Sequence, residues 1–291
     1  MTQKYQGNNS NKSSQTSSKP LVSVLMPAYN ASEYIEEAIK SVLEQTYTNF
    51  ELLILDDCST DNTLDIITKY ENKDSRIKVF RNESNQKIVR SRNKLFELAK
   101  GQFYLIHDAD DISVNTRIAD QLALMQSDDK IGVCGGFLQS FNSNGNLDVR
   151  KYETEDAEIR KRIFKSSPLA QPSCMIRKEA IIDCGNYSED FPVAEDIELW
   201  YRIGRKYKFA NVPKILLYYR EQENNATHKK MKAILRYTLK ARKKYKNDKA
   251  YIFTFSDGLA FFATWFMQVF PTRAVILIFK FLRKLLVIKN E

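Results

Sequence analysis

The sequence predicts an α/β fold whose central sheet is mainly parallel. Two observations carry that expectation. Short apolar runs rich in β-formers alternate with helical stretches of roughly 10–15 residues, the pattern of βαβ units. Two of those runs stop abruptly at clustered carboxylates, Asp56-Asp57 and Asp108-Ala-Asp-Asp111. Ligands of open α/β sheets sit at the carboxyl ends of the strands, so both acid clusters fall on one ligand-facing edge.

The elements follow in order. Met1–Pro20 is rich in Asn, Ser, Gln and Lys without apolar periodicity and reads as a disordered leader. Leu21–Met26 is a buried strand closed by Pro27. A helix begins near Ser32, with Ile35, Ala38, Ile39, Val42 and Leu43 on one face. Phe50–Leu55 is a second strand, and Ser59, Thr60 and Asp61 supply capping groups for a helix to about Tyr70. Arg76–Arg81 alternates as a third strand. A polar turn at Asn82–Asn85 leads into a helix through Lys100, with Gly101 expected as its C′ residue. Phe103–Ile106 then runs into His107 and the second acid cluster.

Beyond it, Asn115–Gln126 reads as a helix and Ile131–Leu138 as a strand whose glycines mark close approach. Phe141–Asp148 reads as a polar hairpin, Asp156–Phe164 as a short helix and Gln171–Arg177 as a strand. A helix to about Asp183 stops at Gly185. Glu195 and Asp196 open a further helix that ends near Gly204, and Lys208–Tyr219 is the last strand.

Bulk composition narrows the function classes. The chain has 291 residues, 43% hydrophobic and 28% charged, enough for a substantial core. Cys58, Cys134, Cys174 and Cys184 have no C-x-x-C spacing, which points to reduced thiols in a cytosolic compartment and away from a cysteine zinc site. Two histidines, His107 and His228, give a histidine metal site or a Ser/His triad little to work with. No apolar signal segment opens the sequence. Neither G-x-G-x-x-G nor G-x-x-x-x-G-K-[ST] occurs, so the dinucleotide and P-loop phosphate turns are missing.

The clustered acids suggest two kinds of chemistry. Carboxylates packed as tightly as Asp108, Asp110 and Asp111 repel unless a cation neutralises them. A small set of hard oxygen ligands suits Mg²⁺ or Mn²⁺ shared with a phosphate-bearing substrate. An isolated D-x-D-D is otherwise a solvated turn. Glu195 and Asp196 lie in a first helical turn, where the macrodipole stabilises anions whatever their role. A functional reading requires one carboxylate there to take a proton from a hydroxyl.

At this point the chain resembles the family 2 glycosyltransferases, inverting nucleotide-sugar enzymes of GT-A fold. The resemblance runs from about Leu21 to Arg220, through Val22–Asn30, Asp56–Asp61, Arg92-Asn93, Asp108–Asp111 and Glu195–Trp200. It implies that Pro27, Ala28 and Tyr29 line the nucleotide pocket, with Tyr29 flat against the base. It implies that Asp57 accepts from the base N–H, favouring uracil, and that Asp56 supports the same loop. Arg92 then faces the phosphates or Asp108, and Asp108 pairs with Asp110, the more direct metal ligand. Asp196 becomes the general base and Glu195 the acceptor-positioning residue. Three positions depart from the family habit: Lys87 where many members have glycine, Gln171 before Pro172 where histidine is frequent, and Gln222 after the Tyr219-Arg220 pair. These bear on donor identity and phosphate contacts. The processive Q-x-x-R-W signature is absent after Trp200, so a single addition is expected.

The domain plan that follows is a leader (1–20), a catalytic domain (21–225, divided at 111) and a helical basic and apolar extension (226–291). The net charge of +9 is lopsided. His228–Glu291 holds 15 Lys/Arg against 3 Asp/Glu, whereas the preceding residues hold 30 against 33. Gly258–Thr272 is uncharged but shorter than the roughly 20 residues a spanning helix needs. On a helical wheel Arg273, Lys280, Arg283 and Lys284 share one sector, which suits a helix lying in the inner leaflet of a membrane. The competing arrangement is a helix packed on the catalytic domain or on a second copy of the chain.

The sequence therefore points to a transferase at the cytoplasmic face of the cell membrane. It would move sugar from a nucleotide-diphospho-sugar donor to a glycan or lipid-linked acceptor. A sugar-nucleotide nucleotidyltransferase would want a Gly-rich basic loop where Met26–Asn30 stands. A non-catalytic membrane-binding module would leave the acids incidental, and the slightly acidic body argues against nucleic acid.

Overall fold

A computed structural model of the chain describes residues 19–221, 226–272, 274, 275, 277 and 278. The leader before residue 19, Gln222, and the sector formed by Arg273, Lys280, Arg283 and Lys284 lie outside the described residues. The first half is three βα units: β1 (Val22–Ala28), α1 (Ile35–Leu43), β2 (Phe50–Asp56), α2 (Thr63–Glu71), β3 (Ile77–Arg81) and α3 (Lys87–Leu98). There follow β4 (Phe103–Ile106), β5 (Ile112–Ser113), α4 (Arg117–Ser127), β6 (Ile131–Asn142), β7 (Gly145–Arg150) and α5 (Asp156–Arg162). A 3-10 turn at Gln171–Ser173 leads to β8 (Met175–Arg177), α6 (Lys178–Cys184), α7 (Glu195–Ile203) and β9 (Lys208–Arg220).

The sheet order is β3-β2-β1-β4-β8-β6-β9-β5, with β7 paired to β6. The β3-β2-β1-β4 half is parallel throughout. The other half is mixed, because β8 runs antiparallel to both β4 and β6 while β6 and β9 are parallel. Register aligns the strand ends that matter: Ala28 lies opposite Asp56, Asp56 opposite Arg81, and Leu25 opposite Ile106. Both acid clusters thus leave the sheet on the same edge.

Strand alternation assigns successive side chains to opposite faces. Val22, Val24 and Met26 of β1 join one apolar cluster with Ile35, Ile39 and Ile118. Leu25 joins the other, with Phe96, Tyr104, Leu199 and Trp200. The sheet is therefore covered on both sides, as parallel sheets require.

Two local expectations are corrected. Gly101 is not the C′ residue of α3, because that helix ends at Leu98 and Ala99 is already extended (φ −72°, ψ 133°). Its small size serves packing instead: a Cβ on Gly101 would lie 2.6 Å from the Ser23 nitrogen. The Gln171–Arg177 segment is a strand only from Met175, since Pro172 sits in the 3-10 turn before it. Elsewhere the glycine reading of β6 matches the packing. A Cβ on Gly135 would meet the Asn211 side chain at 2.4 Å, and one on Gly136 would meet Leu216 at 2.3 Å.

Two helices follow β9, α8 (Ala226–Tyr245) and α9 (Phe255–Met267). The first docks on α7. Tyr245 stacks on Tyr201 with ring centres 4.8 Å apart. The buried Glu198 carboxylate accepts from Tyr245 Oη at 2.7 Å, Lys244 Nζ at 2.9 Å and Arg202 Nε at 2.8 Å. Those three donors outweigh the cost of burial and hold Glu198 below its ordinary pKa. Helix α9 starts at a capping box between Thr254 and Asp257 and is tied to α8 by Arg242 Nη1 donating to Thr264 Oγ1 at 3.0 Å. Its outer side exposes Phe255, Leu259, Phe262, Trp265 and Phe266. Among the described residues no helix is long and apolar enough to cross a membrane.

Breaking one partner of a buried charge cluster leaves the others uncompensated, at a cost of about 3 kcal/mol. Glu198→Ala should lower the melting temperature accordingly and release α8 to limited proteolysis. An unchanged melt would show that the carboxylate does not join α7 to α8.

Candidate active site

Among the described residues, four non-glycine positions have left-handed φ: Asn30 (49°), Cys58 (63°), Lys87 (69°) and Ala194 (56°). Each lies in a loop that opens on the same edge of the molecule. Such backbone is held only where its surroundings over-determine it, and it gathers at functional sites. Here the surroundings are visible. Ser59 Oγ accepts from Asn30 N at 2.9 Å, Asn30 Oδ1 accepts from Thr60 N at 2.9 Å, and Thr63 Oγ1 accepts from Ala31 N at 2.8 Å. Asp61 accepts from Thr63 N and Ser32 N; burial opposes its charge, but these bonds prevail and lower its pKa to about 2. The loops after β1 and β2 thereby form one braced wall.

Within that wall Pro27 and Ala28 are buried and Tyr29 stands 50% exposed. Asp56, fully buried, accepts from Ser59 N at 3.2 Å and pairs with Arg81 at 3.3 Å. Asp57 is committed to the loop before α3. Its Oδ1 accepts from Asn82 Nδ2 and Gln86 N, both at 2.8 Å, and its Oδ2 from Lys87 N at 2.9 Å. A carboxylate has about four lone-pair sites, so one site on Oδ2 remains. A cavity of about 390 Å³, lined by Cys58, Arg81, Asn82 and Glu83, opens beside these two aspartates. The left-handed φ of Lys87 also gives a physical reason why glycine suits that position.

The β4 end is built on a buried arginine that sequence reasoning missed. Arg117, fully enclosed, donates to the Ile106 and Pro172 carbonyls at 2.8 and 2.9 Å and to Ser113 and Gln121. Burial lowers its pKa to about 10. His107 beside it is also buried; desolvation and the Arg117 charge bring it down to about 3, so it is neutral. The only sequence signal for Arg117 was a charge on the apolar face of a helix next to Ile118, Leu122 and Met125.

Past His107, Asp108 and Asp110 are half-buried and Asp111 is fully buried. Burial and then the Asp108 charge raise Asp110 to about 6. Asp111 is raised well above the usual carboxylate range by burial and by both neighbours. Its Oδ1 accepts from Arg220 N at 3.0 Å, whereas its Oδ2 is buried without a donor. Arg220, also missed from sequence, lies between the rings of Tyr34 (4.6 Å) and Phe141 (4.5 Å) and donates to the Asp110 carbonyl at 2.9 Å. The side chains at this edge offer hard carboxylate oxygens, one of which, Asp111 Oδ2, is buried without a hydrogen-bond donor among the described residues. Such a set fits Mg²⁺ or Mn²⁺. Among the described residues no group of three or more His, Cys, Asp or Glu forms a complete metal cage.

Arg92 connects this edge to the second carboxylate pair. From the middle of α3 its Nη2 donates to Asp108 Oδ1 at 2.8 Å and its Nη1 to Glu195 Oε1 at 2.6 Å. Burial disfavours its charge, but Asp108 and Glu195 outweigh that and hold it above the usual arginine value. The Ala194 turn places Glu195 and Asp196 at the start of α7. Asp196 is raised to about 7, first by burial and then by the adjacent Glu195 charge. A carboxylate poised there can accept a proton near neutral pH. The structure thus brings Arg92, Asp108, Glu195 and Asp196 together, with Asp110 beside Asp108. Pro27, Ala28, Tyr29, Asp56 and Asp57 form the neighbouring wall.

The family model described as "Glycosyl transferase family 2" matches residues 23–185. An uncharacterized glycosyltransferase of Methanocaldococcus jannaschii is 32% identical over 278 residues, covering 92% of this chain and 93% of its own. The UDP-Glc:alpha-D-GlcNAc-diphosphoundecaprenol beta-1,3-glucosyltransferase WfaP of Escherichia coli is 32% identical over 226 residues, covering 74% of this chain and 83% of its own. Among solved structures, a mannosyltransferase of Pyrobaculum calidifontis in complex with GDP-Man and Mn²⁺ shares the fold. Its TM-score is 0.63 at 15% identity, over 89% of this chain and 72% of its own.

Asp57→Ala should free the Gln86 amide and leave the Lys87 amide only its longer bond to Asn85 Oδ1 at 3.2 Å, at a cost of about 2 kcal/mol. Hydrogen exchange checks it: protection at those two amides should fall, and retained protection would show that the loop is held by something else.

Proposed function

The chain belongs to the family 2 glycosyltransferases, and from that premise we propose an inverting, metal-dependent enzyme that adds one sugar from a UDP-sugar to a hydroxyl acceptor. The observation that carries the reading is the pairing of a carboxylate raised to about 7, Asp196, with an acid edge that fits a divalent cation. In this reading the uracil enters beside Asp56 and Asp57. Tyr29 offers its ring face to the base, Pro27 and Ala28 form the floor, and the free Oδ2 site of Asp57 accepts the base N–H. Asp110, with Asp108 beside it, would hold Mn²⁺ or Mg²⁺, which when bound neutralises the diphosphate and eases its departure. Arg92 keeps Asp108 turned toward the phosphates.

Asp196 then takes the proton of the acceptor hydroxyl while Glu195, fixed by Arg92, orients the acceptor. The freed oxygen attacks the anomeric carbon opposite the nucleotide, so configuration inverts. A single displacement needs one base and no enzyme nucleophile, which matches one poised carboxylate. The coupled neighbour Glu195 keeps Asp196 basic enough to work, and burial keeps water from levelling the difference.

The acceptor in this proposal is a lipid-linked glycan in bacterial surface polysaccharide assembly. The support is the activity for which the E. coli relative is named and the outer side of α9. Phe255, Leu259, Phe262 and Phe266 recur at helical spacing and stay exposed, while α8 carries exposed Lys230, Lys232, Arg236 and Lys243. Aromatic residues set beside a basic helix suit the headgroup region of an anionic leaflet. The protein would then work as a peripheral enzyme at the cytoplasmic face of the membrane.

Three outcomes test these statements. Asp110→Ala should abolish Mn²⁺-dependent UDP binding, whereas Asp196→Asn should retain it and lose turnover by about 10²–10⁴-fold; full activity in both would refute the mechanism. Because Asp196 must be deprotonated to act, kcat/KM should rise with pH through about 7 and level off above it. A profile flat between pH 5 and 9 would remove Asp196 as the base. Finally, Phe255→Ser, Phe262→Ser and Phe266→Ser together should shift the protein from anionic vesicles to the supernatant in a sedimentation assay. Unchanged sedimentation would rule out α9 as the anchor.

A further inference from the structure

Arg92 has a third acceptor that the proposed reaction does not use. Its Nη1 donates at 2.7 Å to Oε1 of Gln171, the first residue of the 3-10 turn before β8. The other end of that amide is also fixed, because Gln171 Nε2 donates to Tyr187 Oη at 3.0 Å. Tyr187 is in turn bound to α3: its backbone N donates to Asn93 Oδ1 at 3.0 Å, its carbonyl accepts from Asn93 Nδ2 at 2.9 Å, and its ring stacks on Phe96 at 5.4 Å. Gln171 therefore closes a loop of contacts that starts and ends on α3.

The chemistry of an amide matters in this place. The guanidinium is buried, its Nε has no partner among the described residues, and a different carboxylate binds each of its two terminal nitrogens. Without a further acceptor it could swing toward either acid. A neutral oxygen sharing Nη1 with Glu195 fixes the plane of the fork and adds no charge to a region already rich in acids. A planar fork with fixed donors is what separates arginine from lysine at such sites.

We propose that Gln171 is a positioning residue: it holds the Arg92 guanidinium in the orientation that grips Asp108 and Glu195 together, and so keeps the donor edge and the acceptor carboxylates in register. The proposal rests on the glycosyltransferase reading above. Gln171 itself touches neither the base wall nor Asp110, so UDP binding does not depend on it directly. The alignment of acceptor and donor does, and small misplacements of reacting groups are costly in rate.

The test is a double-mutant cycle between Gln171→Ala and Arg92→Lys. The assay measures transfer from UDP-glucose to a GlcNAc-diphosphate-lipid, with UDP·Mn²⁺ affinity followed by calorimetry. Gln171→Ala alone should lower kcat on the order of tenfold while UDP affinity stays within about twofold. In the Arg92→Lys background, where the fork is already gone, the same substitution should cost less than about twofold in kcat. Equal losses in the two backgrounds, or a parallel fall in UDP affinity, would overturn the proposal. The cycle read in melting temperature needs no turnover, which separates this proposal from the choice of substrates. The drop caused by Gln171→Ala should shrink by at least about half in the Arg92→Lys background, and equal drops would overturn the proposal even if no sugar transfer were seen.

Discussion

A single buried guanidinium sets the terms for the rest of the structure. Arg92 lies on a helix of the nucleotide-side half and binds Asp108 at one sheet edge and Glu195 on a helix 103 positions away in sequence. Asp108 is half-buried and Glu195 buried, and two carboxylates brought together in such surroundings repel each other unless a cation lies between them. One shared cation bridges the two at a fixed separation. Asp110 and Asp196 are raised instead, in each case by burial first and then by the charge of the carboxylate beside it.

Much of this was legible in the sequence because the fold places strand ends by simple rules. Alternating apolar runs gave β1 to β4, and parallel pairing then forced Asp56 and Asp108 onto one edge. The helix opening at Glu195 was readable because acids in a first turn mark a helix start whatever else they do. Less legible were features that depend on side chains reaching across the molecule. Arg117 and Arg220 looked like ordinary charges on a helix and at a strand end. Their roles depend on which carbonyls and rings come within 5 Å of them, and periodicity carries no such information. Gly101 was misread for a related reason. Its place after a helix suggested a cap, whereas the constraint is the approach of Ser23 from a neighbouring strand.

The last helices show where composition stops being informative. Their basic and apolar content left membrane contact and packing on the catalytic domain both open; Tyr245, Ala241 and Tyr251 belong to the same apolar cluster as Trp200 and Tyr201 of α7. Helix α8 therefore supports the helix that presents Asp196. Its exposed lysines and the aromatic outer side of α9 remain free to meet a surface. A helix can serve both purposes because its two faces are chemically independent.

The central claim is a single in-line displacement driven by one carboxylate base across from a metal-bound diphosphate. The anomeric configuration of the first product reports on it most directly, because a double displacement or a front-face mechanism leaves a different stereochemistry. With UDP-glucose, an α-linked donor, and a GlcNAc-diphosphate-lipid acceptor, proton NMR of the isolated product should show a β-glycosidic linkage. An α-linkage in the initial product would contradict the account, because a single displacement by a hydroxyl deprotonated by Asp196 inverts the anomeric carbon.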